Sequence, residues 1–162
     1  MVKHQSRSTI GWREWVALPD LGVKAIKAKI DTGARSSAIH AFDIECFSQG
    51  EQDFVRFKMH PIQRQTQQTI TAEAPLLDQR HVRNSGGHTE LRLVILTHIE
   101  LKEHRWPIEL TLTNRDVMGF RMLLGRAAVR EHFLVDPGHS YLLSQKPKFV
   151  KDEDLEEMEA EF

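Results

Sequence analysis

Several residue types and patterns are scarce in this 162-residue chain, and each scarcity excludes a class of protein. Cys46 is the single cysteine, so no intramolecular disulfide can form and a reducing compartment is expected. The first eight residues lack the apolar core of a signal peptide, and no segment approaches the ~18 apolar residues of a membrane span. These features predict a soluble, cytoplasmic protein that does not use a membrane.

A strong excess of one charge is also lacking, because 22 basic and 23 acidic side chains give a net charge of −1. Residues 151–162 hold seven acids and one lysine, so the rest of the chain carries 21 basic and 16 acidic groups, a net charge of +5. Nucleic acid is not an expected partner, since this surplus is modest and no basic run is interleaved with aromatic residues. The tail, 147–162, is predicted to be acidic and disordered, or alternatively to fold back into a basic cleft.

Sequence motifs for metal and nucleotide chemistry are missing as well. Zinc hydrolases need His-Glu-x-x-His or a similar paired spacing, and none of the nine histidines has it. The chain has no Gly-x-x-x-x-Gly-Lys-Ser/Thr loop for binding ATP phosphates. We therefore predict no metal and no cofactor, and any link to ATP would come through a partner protein.

The most informative motif is Asp31-Thr32-Gly33, which follows the alternating segment 23–30. Aspartic proteolysis uses two carboxylates that share one proton, one acting as a base on water and the other as an acid on the scissile carbonyl. Glycine permits a sharp turn beside the carboxylate, and the threonine hydroxyl can hold the loop. The motif predicts Asp31, Thr32 and Gly33 as catalytic residues, although the tripeptide alone is equally compatible with an ordinary turn.

A second motif lies far downstream, where Leu123 and Leu124 precede Gly125 and Arg126, and good helix formers follow. Together the two motifs resemble the retropepsin-like aspartic proteases. The resemblance implies that Leu124, Gly125 and Arg126 support the catalytic loop. A second lobe of ~100 residues does not fit in this chain, so the resemblance implies a homodimer with one Asp31 from each protomer.

Further blocks are similar to a bacterial family labelled ATP-dependent zinc protease, whose members are associated with ATP-grasp ligases that add glutamates to a ribosomal protein. The resemblance covers residues 9–145, and its blocks are 11–19, 28–35, 39–41, 80–85, 110–115 and 134–137. It implies a retropepsin-like fold, a peptide or protein substrate and an ATP-grasp ligase as partner. The zinc in the label does not agree with the missing ligand motif.

Candidates for substrate binding lie in the same motifs and blocks. They are Ala34, Arg35, Ser37, His40, Arg80, Arg83, Ser85 and Arg115. Arginine favours bidentate contacts to carboxylates, so an acidic or glutamate-extended peptide is the expected substrate. Alternatives remain, since Arg115 could form a surface ion pair with Asp116 and His40 could be a structural histidine. Arg35 stands where retroviral enzymes have an acid, and Ala127 stands where they have a polar residue.

The hydrophobic pattern predicts one all-β domain over residues 9–146, preceded by a disordered segment, 1–8. We expect a closed retropepsin-like β-barrel with one short C-terminal helix at 126–132 and a hairpin joining 133–136 to 140–144. Pro107 indicates a sheet edge or a bulge. The flap, a hairpin that covers the active site in the retroviral enzymes, is expected at 60–72 or 83–89. Strands are predicted at 10–18, 22–30, 42–48, 53–59, 69–74, 89–100, 104–113 and 119–124.

Three functions remain open from the sequence. The leading hypothesis is a homodimeric aspartic peptidase acting through Asp31. The second is a peptide- or ligase-binding module without catalysis, which Arg35 beside the catalytic motif and the shortage of a conventional Gly-rich flap favour. The third, a zinc hydrolase, would be insensitive to loss of the Asp31 carboxylate.

Overall fold

Strands dominate the fold. A computed structural model of the chain describes residues 6–62, 68–83, 86–114 and 119–150. Within these ranges the helical elements are a 3-10 turn, Pro19–Leu21, and the α-helix α1, Arg126–Val129, which ends earlier than the predicted residue 132. The strands are β1 (Ser8–Gly11), β2 (Arg13–Leu18), β3 (Val23–Asp31), β4 (Ser37–His40), β5 (Phe42–Gln49), β6 (Gln52–Met59), β7 (Ile70–Arg83), β8 (Thr89–Leu101), β9 (His104–Thr113), β10 (Met122–Gly125) and β11 (Phe133–Asp136).

Six of the strands close into a barrel. Their order is β2-β3-β10-β4-β9-β8, and the barrel closes where Ala17 of β2 pairs with Glu100 of β8. β10 lies between β3 and β4, parallel to the first and antiparallel to the second. Pro107 pairs with His98 of β8 at a level that β4 does not reach, so the missing N–H of the proline faces no strand. The predicted all-β, closed barrel is confirmed.

The strands β7, β6 and β5 extend outward from β8. β7 is shared between two pairings, because its residues 70–75 pair with β6 and its residues 76–83 pair with β8. The flap candidate 83–89 therefore lies at the tip of the long β7–β8 hairpin. The other candidate, 60–72, leads into β7, and its residues 63–67 lie outside the described part of the chain, as do residues 84–85.

The predicted hairpin between 133–136 and 140–144 is wrong. β11 instead pairs in parallel with β1, with Ser8 opposite Phe133. The turn after β11 does form, because the Gly138 backbone N–H and the His139 ring both donate hydrogen bonds to the Asp136 carboxylate. These hydrogen bonds, the one from Gly138 most strongly, lower the pKa of Asp136. Beyond that turn, residues 139–144 run along the start of β2 without strand geometry. We call residues 139–144 the strap.

A buried carboxylate holds the strap in place. Glu14 of β2 is completely buried and accepts five hydrogen bonds of 2.7–3.1 Å. A buried charge is tolerated only when such donors replace water. The strap does not pair as a strand, because three of its N–H groups bind this side chain instead. The donors are the backbone N–H groups of Gly11, Leu142, Leu143 and Ser144 and the Ser144 hydroxyl.

The packed body continues past the expected boundary at residue 146. Val150 is buried against Trp15, Ala25 and Ile62. The rest of the acidic tail, 151–162, and residues 1–5 lie outside the described residues. Across the part that is described, no helix is both long enough and apolar enough to span a bilayer.

Replacing Glu14 tests the role of this carboxylate. We expect Glu14→Gln to lower the free energy of unfolding by about 3 kcal/mol, because an amide group cannot accept all five hydrogen bonds and leaves buried donors unpaired. Urea denaturation measures the effect. Glu103→Gln removes an exposed carboxylate and should change the unfolding free energy by less than about 0.5 kcal/mol. Equal stability of the two variants would contradict the assigned role.

Candidate active site

Asp31 ends β3 and begins the tight turn that the motif predicts. Its Oδ1 accepts hydrogen bonds from the backbone N–H of Gly33 at 3.0 Å and of Ala34 at 3.2 Å. Its Oδ2 accepts no hydrogen bond from the described residues. Asp31 is half-buried, whereas Thr32 and Gly33 are exposed. One carboxylate oxygen is thus oriented by the backbone, and the other is available to a ligand or a second group.

The end of β10 lies directly beneath this turn. Gly125 is the register partner of Asp31 in the parallel β3–β10 pairing. A Cβ on Gly125 would lie 2.4 Å from the Ser36 carbonyl oxygen, so only glycine permits this approach. The buried Ser37 hydroxyl accepts the Gly125 N–H at 3.0 Å. These contacts join β10 to the far end of the loop 31–37, which we call the catalytic loop because it carries the predicted catalytic residues.

The first residues of α1 complete the attachment. The Arg126 guanidinium donates to the Thr32 carbonyl at 2.9 Å, and its backbone N–H donates to the Ala34 carbonyl at 2.7 Å. The Ala127 N–H donates to the Arg35 carbonyl at 3.0 Å. The structure therefore brings Gly125 and Arg126 to the catalytic loop. Leu124 lies one step earlier, fully buried opposite Ile30.

The strap supports the site from behind, through contacts that sequence reasoning missed. The Ile30 N–H donates to the Trp12 carbonyl at 2.8 Å, and the Trp12 N–H donates to the His139 carbonyl at 2.9 Å. A Cβ on Gly11 would lie 2.5 Å from that His139 carbonyl oxygen. Ile30, the residue before Asp31, is thus connected to the strap, which Glu14 holds in place.

The substrate-binding candidates do not all converge on Asp31. Arg35 is exposed in the catalytic loop. His40 lies at the far end of β4, where its Nδ1 is 3.4 Å from Arg121 Nη1. Arg83 is the last residue of β7, with its backbone opposite Thr89. Ser85 and Arg115 lie outside the described residues.

Arg80 is already paired. It donates to Asp78 at 3.0 Å and to Glu109 at 3.1 Å. These hydrogen bonds, the one to Asp78 first, raise the pKa of Arg80, and the hydrogen bond from Arg80 is the main cause that lowers the pKa of Asp78. Arg80 therefore has less capacity for a new carboxylate than an unpaired arginine has.

A cavity of about 770 Å³ opens beside α1 and the catalytic loop. Arg35, Ser36, Ser37 and Arg80 line it, together with two residues that sequence reasoning missed, Trp106 and His132. Of these two residues, only Trp106 gives a signal in the sequence, because it is a large aromatic side chain in a predicted strand. Across the described residues, no group of three or more His, Cys, Asp or Glu side chains is arranged to hold a metal ion.

Solved structures contain the same fold. The crystal structure of Lpg0085 from Legionella pneumophila, described as a protein of unknown function, superposes with a TM-score of 0.73. The two sequences are 26% identical, and the match covers 86% of this chain and all of Lpg0085.

Curated relatives are longer proteins. "Probable alpha-L-glutamate ligase" from Parasynechococcus marenigrum is 48% identical over 93% of this chain, and that from Shewanella halifaxensis is 48% identical over 85%. The match covers 32% and 30% of their lengths, so the chain spans about a third of each relative. Residues 9–146 match the family model RimB-like, described as "Retropepsin-like aspartic endopeptidase RimB". With this match and the Asp31 and Gly125 geometry, the chain belongs to the RimB-like family of retropepsin-like proteins.

Proposed function

We propose that the protein is an aspartic peptidase, active as a homodimer in the cytoplasm. The observation that carries the proposal is the Asp31 loop, in which backbone N–H groups orient Oδ1 while Oδ2 takes no hydrogen bond from the described residues. The family description names an aspartic endopeptidase, which supports the same reaction. The catalytic residues are then Asp31, Thr32 and Gly33, supported by Leu124, Gly125 and Arg126.

The reaction follows from two Asp31 carboxylates in contact. Two such groups about 3 Å apart share one proton, since both cannot be ionised at once. The ionised carboxylate takes a proton from water, and the resulting hydroxide attacks the scissile carbonyl while the other carboxyl donates its proton to the carbonyl oxygen. The resulting gem-diol intermediate collapses when one of its hydroxyl groups returns a proton to the carboxylate that had donated one. The C–N bond breaks, and the carboxyl that took the proton from water gives it to the leaving nitrogen, so the pair again shares one proton.

The dimer is needed because the chain contains one Asp-Thr-Gly sequence. The exposed Thr32 and Gly33 provide a surface that a second copy would cover around the shared site. An extended peptide would then lie between the two Asp31 loops and the β7–β8 hairpins and pair with strand edges.

An acidic peptide, such as a glutamate-extended one, is the proposed substrate. Arg35 is exposed in the catalytic loop and makes no ion pair within the described residues, so its guanidinium is available to a carboxylate. The other proposed contacts are Ala34, Ser37, His40, Arg80, Arg83, Ser85 and Arg115. The relatives named as glutamate ligases support an acidic substrate and an ATP-grasp ligase partner.

A peptide- or ligase-binding module without catalysis is the second candidate. The observation that favours it is that the matched region forms about a third of relatives named as ligases. In such a role the domain would position an acidic chain for the ligase. This function needs the cations of the site but does not need the Asp31 carboxylate.

Mixing protomers tests the dyad. We expect Asp31→Asn to reduce cleavage of a glutamate-rich peptide about a thousandfold, because neither proton transfer can occur normally. Wild-type and Asp31→Asn chains refolded together in equal amounts should retain about a quarter of the wild-type activity, since only dimers of two wild-type chains are active. Product formation is followed by mass spectrometry, with and without a chelator.

The possible outcomes separate the candidates. A mixture that retains half of the activity would exclude a shared site. Inhibition by the chelator together with full activity of Asp31→Asn would favour the zinc hydrolase. Binding of the peptide by both proteins without any cleavage would favour the binding module.

The contact between Ser37 and Gly125 gives a further prediction. Ser37→Ala removes the buried acceptor of the Gly125 N–H, so we expect the free energy of unfolding to fall by about 1–3 kcal/mol. Cleavage should slow as well, because the catalytic loop loses its attachment to β10. The control variant Ser48→Ala removes an exposed hydroxyl from β5, the outermost strand of the sheet, and should change neither urea denaturation nor the cleavage rate. Equal effects of both variants would contradict the role of Ser37.

A further inference from the structure

The cavity beside α1 shares the catalytic loop but is not lined by Asp31. Arg35 and Ser36 of the catalytic loop line it, and so does Trp106 of β9. Arg35 is only four positions after Asp31, so the two Cα atoms are within about 14 Å of each other. An extended peptide rises about 3.3 Å per residue. A peptide held at Asp31 would therefore reach the cavity within about four residues of the cleaved bond.

Packing and a hydrogen bond hold the aromatic residues that line the cavity. Trp106 is buried, and its Nε1 donates to the Ala128 carbonyl at 3.0 Å. The His132 ring stacks on the Trp106 ring with centroids 4.9 Å apart and an interplanar angle of 26°. Leu96, which is 48% exposed, adds an apolar surface. Side chains with an aliphatic stem fit such a surface without a change in its shape.

The cations of the cavity are not equivalent. Arg80 is shared between Asp78 and Glu109, and Glu109 itself lines the cavity. The Arg35 side chain makes no hydrogen bond or ion pair within the described residues. Its backbone is fixed, however, because its carbonyl accepts the Ala127 N–H. The available positive charge of the cavity is therefore that of Arg35, because the Glu109 carboxylate offsets Arg80.

We propose that this cavity is a second substrate subsite, which binds a glutamate-like side chain of the peptide about four residues from the cleaved bond. Arg35 pairs with the carboxylate, the aliphatic stem lies on Leu96 and the Trp106–His132 stack, and Glu109 limits the affinity for acidic side chains. The inference rests on the proposed function, since it needs a peptide bound at the catalytic loop.

Two substitutions with opposite expected effects test the subsite. In an Asp31→Asn background, which prevents cleavage, binding of fluorescein-labelled octaglutamate is measured by anisotropy. Arg35→Ala should weaken binding about tenfold, because one charge-assisted hydrogen-bonded pair is lost. Glu109→Gln should strengthen binding about two- to fivefold, because a repulsive charge is removed and Arg80 gains a free donor.

The matched control is Arg130→Ala, which removes an exposed arginine just after α1 and outside the cavity. It should leave octaglutamate affinity unchanged, and an octaglutamine peptide should bind weakly to every variant. Arg35→Ala and Arg130→Ala with equal affinities, no gain in Glu109→Gln, or no binding of octaglutamate would overturn the subsite.

Cleavage by the protein with Asp31 intact separates the two proposals. If it cleaves acidic peptides while Arg35→Ala and Glu109→Gln bind like the parent, the subsite is wrong and the peptidase stands. If it cleaves nothing while those variants shift binding in opposite directions, the subsite stands and the peptidase is wrong.

Discussion

The position of β10 between β3 and β4 is the constraint on which the rest of the site depends. The chain leaves β3 at Asp31 and returns as β4 at Ser37, so the catalytic loop must pass over the end of β10. The Ser36 carbonyl oxygen then occupies the space that a side chain on Gly125 would need. The same junction presents the Gly125 N–H to Ser37 and the Arg126 guanidinium to the Thr32 carbonyl.

The catalytic loop has a second support on the β3 side, and this support depends on the side chain of Glu14. The Glu14 carboxylate replaces water for the N–H groups of the strap, and the strap in turn supports Trp12, whose carbonyl accepts the Ile30 N–H. The loop is thus attached on one side through β10 and on the other through β3. Two independent sets of hydrogen bonds therefore attach the loop that carries the Asp31 carboxylate. A carboxylate on such a loop loses little further freedom when a substrate binds, and a preorganised catalytic group needs this property.

Local patterns in the sequence predicted those parts of the fold that depend on residues close together in the chain. Alternation along residues 23–30 predicted β3, and the Asp31 turn and the Leu-Leu-Gly-Arg motif predicted the two halves of the site. The Glu14 interaction could not be predicted, because it joins Glu14 to Leu142, 128 positions apart, and a lone glutamate in a strand gives no signal of its partners. The prediction of the C-terminal hairpin was wrong for the same reason. The turn at Gly138 was recognised correctly, but the segment after it binds a side chain instead of pairing with β11.

In the proposed dimer, the contacts that hold each Asp31 loop are distinct from the second carboxylate that completes the dyad. Within each protomer, the loop that carries Asp31 is attached through Gly33, Ala34, β10, α1 and the strap. In the proposed peptidase, a second protomer adds the second carboxylate to a loop that these contacts already attach to its own barrel. Activity of the proposed peptidase would therefore depend on the concentration of the dimer, because each protomer brings one Asp31 carboxylate to the shared site.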